Sequence, residues 1–438
     1  MTTLVIDHAT VVTVDGADRV IDDGAVAVVD GAIAAVGASA SVVRSYADAE
    51  VFDARGAILM PGLVNAHAHL AMTLFRGLAD DRDLDGFLDA MLAAEAAVLD
   101  EAAVRAGVTL GLAESIRAGC TAALDMYFWP EAAMDVAAGA GFRLAAGPVF
   151  VSFPGPDARP FAERLVWAAD VLASWPGRRW VQPHSTYLVT PDELRAVGDL
   201  AAATGARVHI HAAETGAEVA LVRGRHGRSP IALLHDLGLL DASTTLAHAV
   251  ALDDDDLALV AASGAAVSHC PLSNLKLASG FCRVPELVAA GVPVGLGSDG
   301  TASSNDLDLF VAMRTAAIVH KALTGDPGVL PASVVLRMAT IDAARAVGID
   351  DLVGSIEVGK RADLVLLDAD SPSLTPSYDA ASTVVYAAGR GDVRDVWIDG
   401  GRVLHDRVLT TIDLAAALHG VRARQGAVRA AVSYDRRP

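Results

Sequence analysis

Two kinds of hydrophobic pattern divide the chain. Residues 1–56 alternate short apolar segments with Asp and Gly turns, and a similar pattern returns after about Val358. Such a pattern is typical of antiparallel strands, so we expect one small β domain formed by residues 1–56 and 358–425. Between them, in residues 57–357, short apolar segments alternate with Ala-rich helical stretches, which indicates repeated βα units. Residues 426–438 remain as a C-terminal tail.

Eight strands are predicted in the middle region, at residues 58–65, 121–125, 142–149, 179–183, 206–210, 244–247, 265–268 and 292–297. Helical segments follow nearly all of them, as in parallel sheets with helical crossovers. Eight such units suggest closure into a (β/α)8 barrel. The sequence therefore predicts an α/β fold with one large barrel domain and one small β domain.

Polar side chains lie at the ends of most of these strands. The acid and imidazole groups at these positions are His67, His69, His184, His209, His211, His248, His269 and Asp299. In α/β barrels the active site lies at the carboxyl ends of the strands, so we expect these groups to share one rim. The alternative is a set of separate core histidines, each with its own hydrogen-bond partner. That alternative gives no reason for their alignment with strand ends.

A metal ion accounts for such a cluster. Neutral imidazoles and a carboxylate suit zinc, or ferrous iron in a similar role, with one position open for water. A bound divalent metal lowers the pKa of that water towards about 7, which predicts hydrolytic chemistry. The only lysines, Lys276, Lys321 and Lys360, lie away from the fourth strand. A bridging carbamylated lysine is therefore excluded there, and His184 at that position favours one divalent ion over two.

The composition limits the classes of partner that we expect this protein to bind. The net charge of −20 argues against nucleic acid or an anionic membrane as a partner, because both require basic clusters. The longest stretch without charged residues contains His, Pro, Asn and Ser, so no membrane span is predicted. The N-terminus lacks the basic region and cleavage site of a signal peptide, and three cysteines do not make a disulfide framework. We expect a cytoplasmic protein that acts on a small molecule.

Several segments resemble the amidohydrolase superfamily, and specifically the aminohydrolase branch that includes methylthioadenosine/S-adenosylhomocysteine deaminases. They are PGLVNAHAHLAMTLFRG (61–77), LDMYF (124–128), HIHAAET (209–215), LAHAV (246–250), SHCPLSNLKLASG (268–280), GLGSDGTASSNDLDLF (295–310) and GSIEVGKRADLVLLD (354–368). The resemblance covers nearly the whole chain. It implies a distorted (β/α)8 TIM barrel with a composite β-sandwich domain formed from the N- and C-terminal segments.

The resemblance also assigns site residues. The implied metal ligands are His67, His69, His211 and Asp299. His209 is then not a ligand, because the His-x-x-Glu pattern matches His211 and Glu214. The resemblance makes Glu214 the catalytic proton shuttle, and it makes His248 the residue that polarises the attacking water or contacts the substrate. Asp299 accepts a proton from that water.

The implied reaction is hydrolytic deamination of a purine-type ring with release of ammonia, most consistent with an adenosine-derived nucleoside such as methylthioadenosine. Glu95 matches a position that binds ribose hydroxyls, with a solvated helical acid as the alternative. His184 matches a position that contacts the nucleoside. Arg143 is the candidate for a substrate carboxylate, but Gly147 and Pro148 stand where the resemblance leads us to expect a further arginine, which disfavours S-adenosylhomocysteine.

Aromatic stacking is a further candidate contact. Phe128 and Trp129 follow the second predicted strand, where they either stack on a heterocycle or pack in the core. Other enzymes remain open: deaminases of guanine, 8-oxoguanine or pterins, and triazine hydrolases. A scaffold protein without metal is disfavoured because every expected ligand and Glu214 are present. The resemblance also allows a homo-oligomer.

Overall fold

The computed structural model describes residues 3–175 and 177–432, and its first strands form part of one large sheet. These strands are β1 (Thr3–Val12), β2 (Val20–Val29), β3 (Ala32–Ala38), β4 (Glu50–Asp53) and β5 (Ile58–Pro61). Strands β1, β2 and β3 are antiparallel neighbours, whereas β4 and β5 pair with β1 in parallel. Side chains alternate along β1 and β2 and bury both faces of the sheet: Ile6 and Val26 lie in one core, and Val5 and Ala27 lie in another.

The middle of the chain contributes parallel strands. They are β6 (Leu63–His69), β7 (Cys120–Asp125), β8 (Arg143–Ala145), β9 (Val149–Phe150), β10 (Trp180–Pro183), β11 (Arg207–Ala212), β12 (Thr244–His248), β13 (Ala266–His269), β14 (Val294–Leu296) and β15 (Asp299–Gly300). They form a sheet of order β15-β6-β7-β8 and a second sheet of order β14-β13-β12-β11-β10-β9. Most of their residues are buried, as expected for strands covered by helices.

The last strands return to the first sheet. They are β16 (Leu364–Leu367), β17 (Val393–Ile398), β18 (Gly401–His405) and β19 (Val408–Leu409). The sheet has the order β19-β18-β17-β16-β5-β1-β2-β3, with β4 also paired to β1. The two ends of the chain therefore share one sheet, as their common hydrophobic pattern predicts. The sheet has a separate core that includes Ile6, Val26, Leu59, Leu366 and Trp397.

Helices follow most of the parallel strands. Their bounds are α1 (Ser39–Ser45), α2 (Leu84–Val98), α3 (Glu101–Arg117), α4 (Pro130–Ala140), α5 (Phe161–Ser174), α6 (Pro191–Thr204), α7 (Gly216–His226), α8 (Pro230–Asp236), α9 (Asp254–Ser263), α10 (Pro271–Lys276), α11 (Val284–Ala289), α12 (Leu309–Thr324), α13 (Ala332–Met338), α14 (Ile341–Val347), α15 (Ala380–Ser382), α16 (Leu414–Arg422) and α17 (Gln425–Ala431). Among the residues described, no helix combines the length and apolar character needed to cross a membrane.

The predicted first strand, 58–65, is in fact two strands in different sheets. Ile58–Pro61 pairs in the terminal sheet, and Leu63–His69 begins the parallel strands. Gly62 lies between them, and a Cβ atom there would come within 2.1 Å of Oγ1 of Thr121. The close approach of this turn to β7 therefore requires glycine.

The predicted strand 142–149 is interrupted, and the predicted strand 292–297 ends at Leu296 with the separate strand β15 after it. At each of these two breaks a side-chain amide takes over a hydrogen bond of the ladder. Between β8 and β9, the backbone N–H of Gly147 donates to Oε1 of Gln182 at 3.2 Å. Between β14 and β15, the backbone N–H of Ser298 donates to Oδ1 of Asn65 at 3.0 Å. These two breaks are also where one parallel sheet ends and the other begins. Backbone groups freed by the breaks are thus satisfied, as burial requires.

Candidate metal centre and substrate cavity

Five of the predicted site residues lie at or beside the carboxyl ends of neighbouring parallel strands. His67 and His69 come from β6, His211 from β11, His248 from β12 and Asp299 from β15. All five are buried. The pairing of β15 with β6 and of β11 with β12 groups these side chains within each sheet, and the rings of His67 and His211, with centroids 4.9 Å apart, bring the two groups together. We call His67, His69, His211 and Asp299 the metal cluster.

The imidazole lone pairs in the metal cluster converge. Nδ1 of His69 donates to the carbonyl oxygen of Met126 at 2.5 Å, and Nδ1 of His211 donates to the carbonyl oxygen of His184 at 2.7 Å. In the neutral rings the other nitrogen then carries a lone pair. The two Nε2 atoms face each other at 3.3 Å. Two lone pairs at this distance repel unless a cation lies between them, so the donor set fits a metal ion.

The carboxylate of Asp299 completes the cluster. Its Oδ1 lies 3.3 Å from Nε2 of His67 and 3.2 Å from Nε2 of His69. Burial alone would raise the pKa of Asp299, but the adjoining imidazoles of His67 and His69 outweigh burial and hold that pKa well below its usual range. The Oγ of Ser303 donates to Oδ2 at 2.6 Å, which orients the carboxylate. Asp299 is therefore an ionised oxygen ligand aimed at the histidines.

His67 has a buried nitrogen that needs a partner. Its Nδ1 lies 3.0 Å from Nε2 of His209, and Nδ1 of His209 lies 3.2 Å from the amide nitrogen of Gln182. Nε2 of His67 has no hydrogen-bond partner among the described residues. Buried polar atoms are rarely left without a hydrogen-bond partner or a ligand, so we expect Nε2 of His67 to bind a ligand at this position. His209 contacts Nδ1 of His67, whereas Nε2 of His67 faces Asp299, as expected if His209 is not a metal ligand.

Glu214 and His248 lie together beside the metal cluster. Oε2 of Glu214 is 3.8 Å from Nε2 of His248, and both side chains are buried. Burial raises the pKa of Glu214 well above its usual range, and the carboxylates of Asp299 and Glu218 raise it further. Burial lowers the pKa of His248 to about 3. The structure therefore brings together a carboxyl group whose protonated form is favoured by burial and an imidazole whose neutral form is favoured by burial.

An apolar cavity opens beside His69. Its polar lining residues are His69, Glu95, Tyr127 and His184. The remaining lining residues, which we call the apolar wall, are Met72, Phe87, Leu88, Met91, Leu92, Met126, Phe128, Val149, Val151, Phe153 and Leu188. Among the described residues that line this cavity, none is a lysine or an arginine. The cavity therefore suits a largely neutral ligand with one end at the metal cluster.

Glu95 lies inside this cavity and is not a solvated helical acid. It projects from α2, is buried, and its Oε1 accepts a hydrogen bond from the hydroxyl of Tyr127 at 2.5 Å. Burial raises the pKa of Glu95 to about 7, and the hydrogen bond from Tyr127 opposes that shift. His184 lies across the cavity, and its ring centroid is 4.6 Å from that of His211. Both residues therefore border the space next to the metal cluster.

Arg143 is wrong as a substrate-binding residue. It stands at the amino end of β8, on the side of the strands opposite to the metal cluster. Its guanidinium donates to Asp363 at 3.0 and 3.1 Å and lies 2.8 Å from Asp399. Burial lowers the pKa of Arg143, but these two carboxylates outweigh burial and raise that pKa above its ordinary value. Arg143 therefore joins β8 to the terminal sheet.

The structure also places Trp129 and His269 differently from the prediction. Trp129 packs against the main core and is not among the residues that line the cavity, where Phe128 takes the aromatic position. His269 ends β13, but its ring faces His320 at a centroid distance of 5.6 Å. Side chains alternate along a strand, and the neighbouring Ser268 lies on the inner face near Gly297. A shift of one residue thus directs His269 away from the shared rim.

Most residues that support the site could not be predicted from the sequence, because their partners are distant in the chain. Asn65 joins the strand of His67 to that of Asp299 through a bond from its amide to Oγ of Ser298 at 2.7 Å. Nδ2 of Asn274 lies 3.0 Å from Nδ1 of His248. Glu218 accepts hydrogen bonds from the backbone beside Glu214. Only Thr215-x-x-Glu218, a helix-start pattern, gives a local signal for any of these.

The comparisons with known proteins agree with this geometry. The amidohydrolase family model matches residues 58–403. A protein of Syntrophobacter fumaroxidans named 5-methylthioadenosine/S-adenosylhomocysteine deaminase is 41% identical over 423 residues, which cover 96% of this chain and 97% of that protein. One of the same name from Nitratidesulfovibrio vulgaris is 40% identical over 424 residues, with 96% of each chain covered.

Solved structures give the same result. A crystal structure of an adenosine deaminase from Xanthomonas campestris with bound zinc superposes with a TM-score of 0.95 and 40% identity, covering 98% of this chain and 99% of that one. An atrazine chlorohydrolase from Arthrobacter aurescens, complexed with zinc, has a TM-score of 0.88 at 24% identity, covering 96% of this chain and 100% of that one, which supports the fold alone. On these matches, and as its motifs predict, the chain belongs to the amidohydrolase family.

Proposed function

We propose that this protein is a metal-dependent hydrolytic deaminase of adenosine-type nucleosides that releases ammonia. The observation that carries the proposal is Glu214, a buried carboxylic acid with a raised pKa, which lies 3.8 Å from His248 beside the metal cluster. Relatives at about 40% identity that carry a deaminase name support the same reaction. The zinc in the Xanthomonas campestris structure supports zinc as the metal.

The metal cluster would hold one divalent cation through Nε2 of each of its three histidines and one oxygen of Asp299. When bound, such a cation supplies a water nucleophile that ionises near neutral pH. Asp299, kept ionised by His67 and His69, accepts the proton that this water releases. Its position against both histidines keeps that proton beside the reacting carbon, from where it passes to the amino group, and the C–N bond then breaks to release ammonia.

Two other side chains act on the ring. Burial favours the protonated form of Glu214, which donates its proton to the ring nitrogen next to the amino-bearing carbon. The neutral imidazole of His248, 3.8 Å from Glu214, donates a hydrogen bond to the oxygen that is added to that carbon. Since Asp299 and Glu214 have pKa values displaced in opposite directions, one serves as base and the other as acid.

The cavity sets the substrate class. Glu95 accepts hydrogen bonds from ribose hydroxyls, and His184 contacts the nucleoside beside His211. The apolar wall suits a neutral 5′ group such as a methylthio group. It offers no cation for the carboxylate of S-adenosylhomocysteine, and burying an unpaired charge is costly. We therefore infer a preference for adenosine and methylthioadenosine.

We further infer that the two parallel sheets form one distorted (β/α)8 barrel, joined at the breaks after β8 and β14, and that the terminal sheet folds into a β-sandwich. Pairing of Ile58–Pro61 with β1 supports a domain boundary at Gly62 instead of residue 57. The C-terminal boundaries at 358 and 425, a cytoplasmic location and a homo-oligomer stay predictions.

Ammonia release from a set of nucleosides and bases tests the function. With zinc-loaded protein, we expect turnover of adenosine and methylthioadenosine, with kcat/KM at least about tenfold below theirs for S-adenosylhomocysteine, the cost of one unpaired polar group. Guanine, pterin and triazine substrates should release little product. Turnover of guanine or a triazine above that of adenosine would contradict the proposed substrate class, and no turnover of any substrate would contradict the reaction.

A further inference from the structure

We propose that Glu218 is a positioning residue that fixes the backbone of Glu214 and so aims its carboxylic acid at the substrate, an inference that rests on the proposed function. Glu218 is the third residue of α7 and is buried. Its Oε1 accepts from the N–H of Ala213 at 3.1 Å, and its Oε2 accepts from the N–H of Glu214 at 2.7 Å. Both carboxylate oxygens are thus bound to the segment that carries the acid.

The held segment is a strained turn. Ala213 has φ +51°, in the left-handed region that costs free energy for any residue other than glycine. Its N–H is held by Glu218, and its carbonyl oxygen accepts from the N–H groups of Val250 at 2.9 Å and Ala251 at 2.8 Å. The turn is therefore fixed from both sides, by α7 and by the loop that follows His248.

Glu218 also contacts the loop after β10. Oγ1 of Thr186, two residues beyond His184, lies 3.5 Å from Oε1 of Glu218. One carboxylate therefore joins the segments that carry His184 and Glu214, and the Ala213 carbonyl extends this link to the loop after His248. A residue that only capped its own helix would make no contact beyond the N-cap.

Glu193 provides the matched comparison. It is the third residue of α6, as Glu218 is of α7, and its carboxylate forms an ordinary capping box with Thr190. Its Oε2 accepts from the N–H of Thr190 at 3.0 Å and from Oγ of Ser152, and it does not line the cavity. Substitution of Glu193 therefore measures the loss of a helix-start carboxylate that also contacts a neighbouring loop but makes no bond to the segment that carries Glu214.

The experiment compares Glu218→Gln, Glu218→Ala and Glu193→Gln. Gln keeps the shape of Glu but presents an amide N–H₂ to one of the two backbone N–H groups. We expect Glu218→Gln to lower kcat for adenosine about 10- to 100-fold, as for a misplaced catalytic group, with KM and metal content within about twofold of wild type. Amide hydrogen exchange in residues 210–217 should accelerate in Glu218→Gln and not in Glu193→Gln.

Equal kcat in Glu218→Gln and Glu193→Gln would overturn the proposal, even if exchange at 210–217 became faster. A rise in KM or a loss of metal with unchanged kcat would overturn it as well. If the wild-type protein releases no ammonia from any nucleoside, the proposed function fails, and hydrogen exchange alone then decides whether Glu218 holds the turn. If Glu218→Ala does not fold, the isosteric Glu218→Gln still gives the answer.

Discussion

The metal cluster and the apolar wall meet at His69, which lines the cavity, but they are built differently. The cluster consists of polar side chains at the ends of paired strands, held by hydrogen bonds to neighbouring backbone and side chains. The apolar wall comes from α2, from Met72 and from segments near residues 126–128, 149–153 and 188. The difference indicates that chemistry is fixed by the sheet register, whereas substrate choice depends on elements that can vary without disturbing the metal.

The strongest test of this division removes a ligand. We expect His67→Ala to lose its metal on dialysis, because the remaining ligands leave the site incomplete, and to lose nearly all activity. Elemental analysis of the dialysed protein measures this directly. His269→Ala, a change at a strand end that faces His320, should retain about one metal ion per chain. Full metal occupancy in His67→Ala would remove His67 from the cluster.

The next largest effect is expected for the acid. Glu214→Gln keeps the shape of the side chain but cannot donate a carboxylic proton, so kcat should fall by about 10²- to 10⁴-fold, the usual contribution of a positioned acid. Metal content should stay at the wild-type level, because Glu214 is not one of the four ligands. Steady-state kinetics and elemental analysis on the same sample check both parts. Wild-type turnover in this variant would refute the role of Glu214.

These two changes concern residues that sequence alone could identify. His67 and His69 are one residue apart on a buried strand, so their side chains must share a face. His211 and Glu214 were assigned by the resemblance to the family, through its His-x-x-Glu pattern. The shared terminal sheet also follows from the sequence, because both ends carry the same short apolar pattern between turns.

The apolar wall could not be predicted, since its residues are as apolar as the core and come from separate segments. Arg143 was assigned wrongly because Asp363 and Asp399, which bind it, are more than 200 residues away. The prediction for His269 was wrong for a simpler reason. The register of its strand differs by one residue from the predicted register, so the side chain of His269 lies on the opposite face of the strand.

A change in the apolar wall should alter affinity and leave catalysis intact. Phe153 is half-buried and lines the cavity, so Phe153→Ala removes apolar contact without opening the core. We expect KM for methylthioadenosine to rise about tenfold, the value of one lost aromatic contact, with kcat within about threefold. Phe153→Arg should raise kcat/KM for S-adenosylhomocysteine relative to methylthioadenosine. A fall in kcat with unchanged KM would mean that the apolar wall and the metal cluster do not act separately.

The smallest expected effect is a shift in pH dependence at Glu95. Its pKa of about 7 makes it neutral below that pH and ionised above it, and the ionised form is the better acceptor for ribose hydroxyls. KM for adenosine should therefore fall as pH rises through about 7. The Tyr127 hydroxyl lowers this pKa by donating to Glu95, so Tyr127→Phe should move the transition to higher pH. Glu95→Gln should abolish the transition, and an unchanged profile in both variants would show that Glu95 does not contact the ribose.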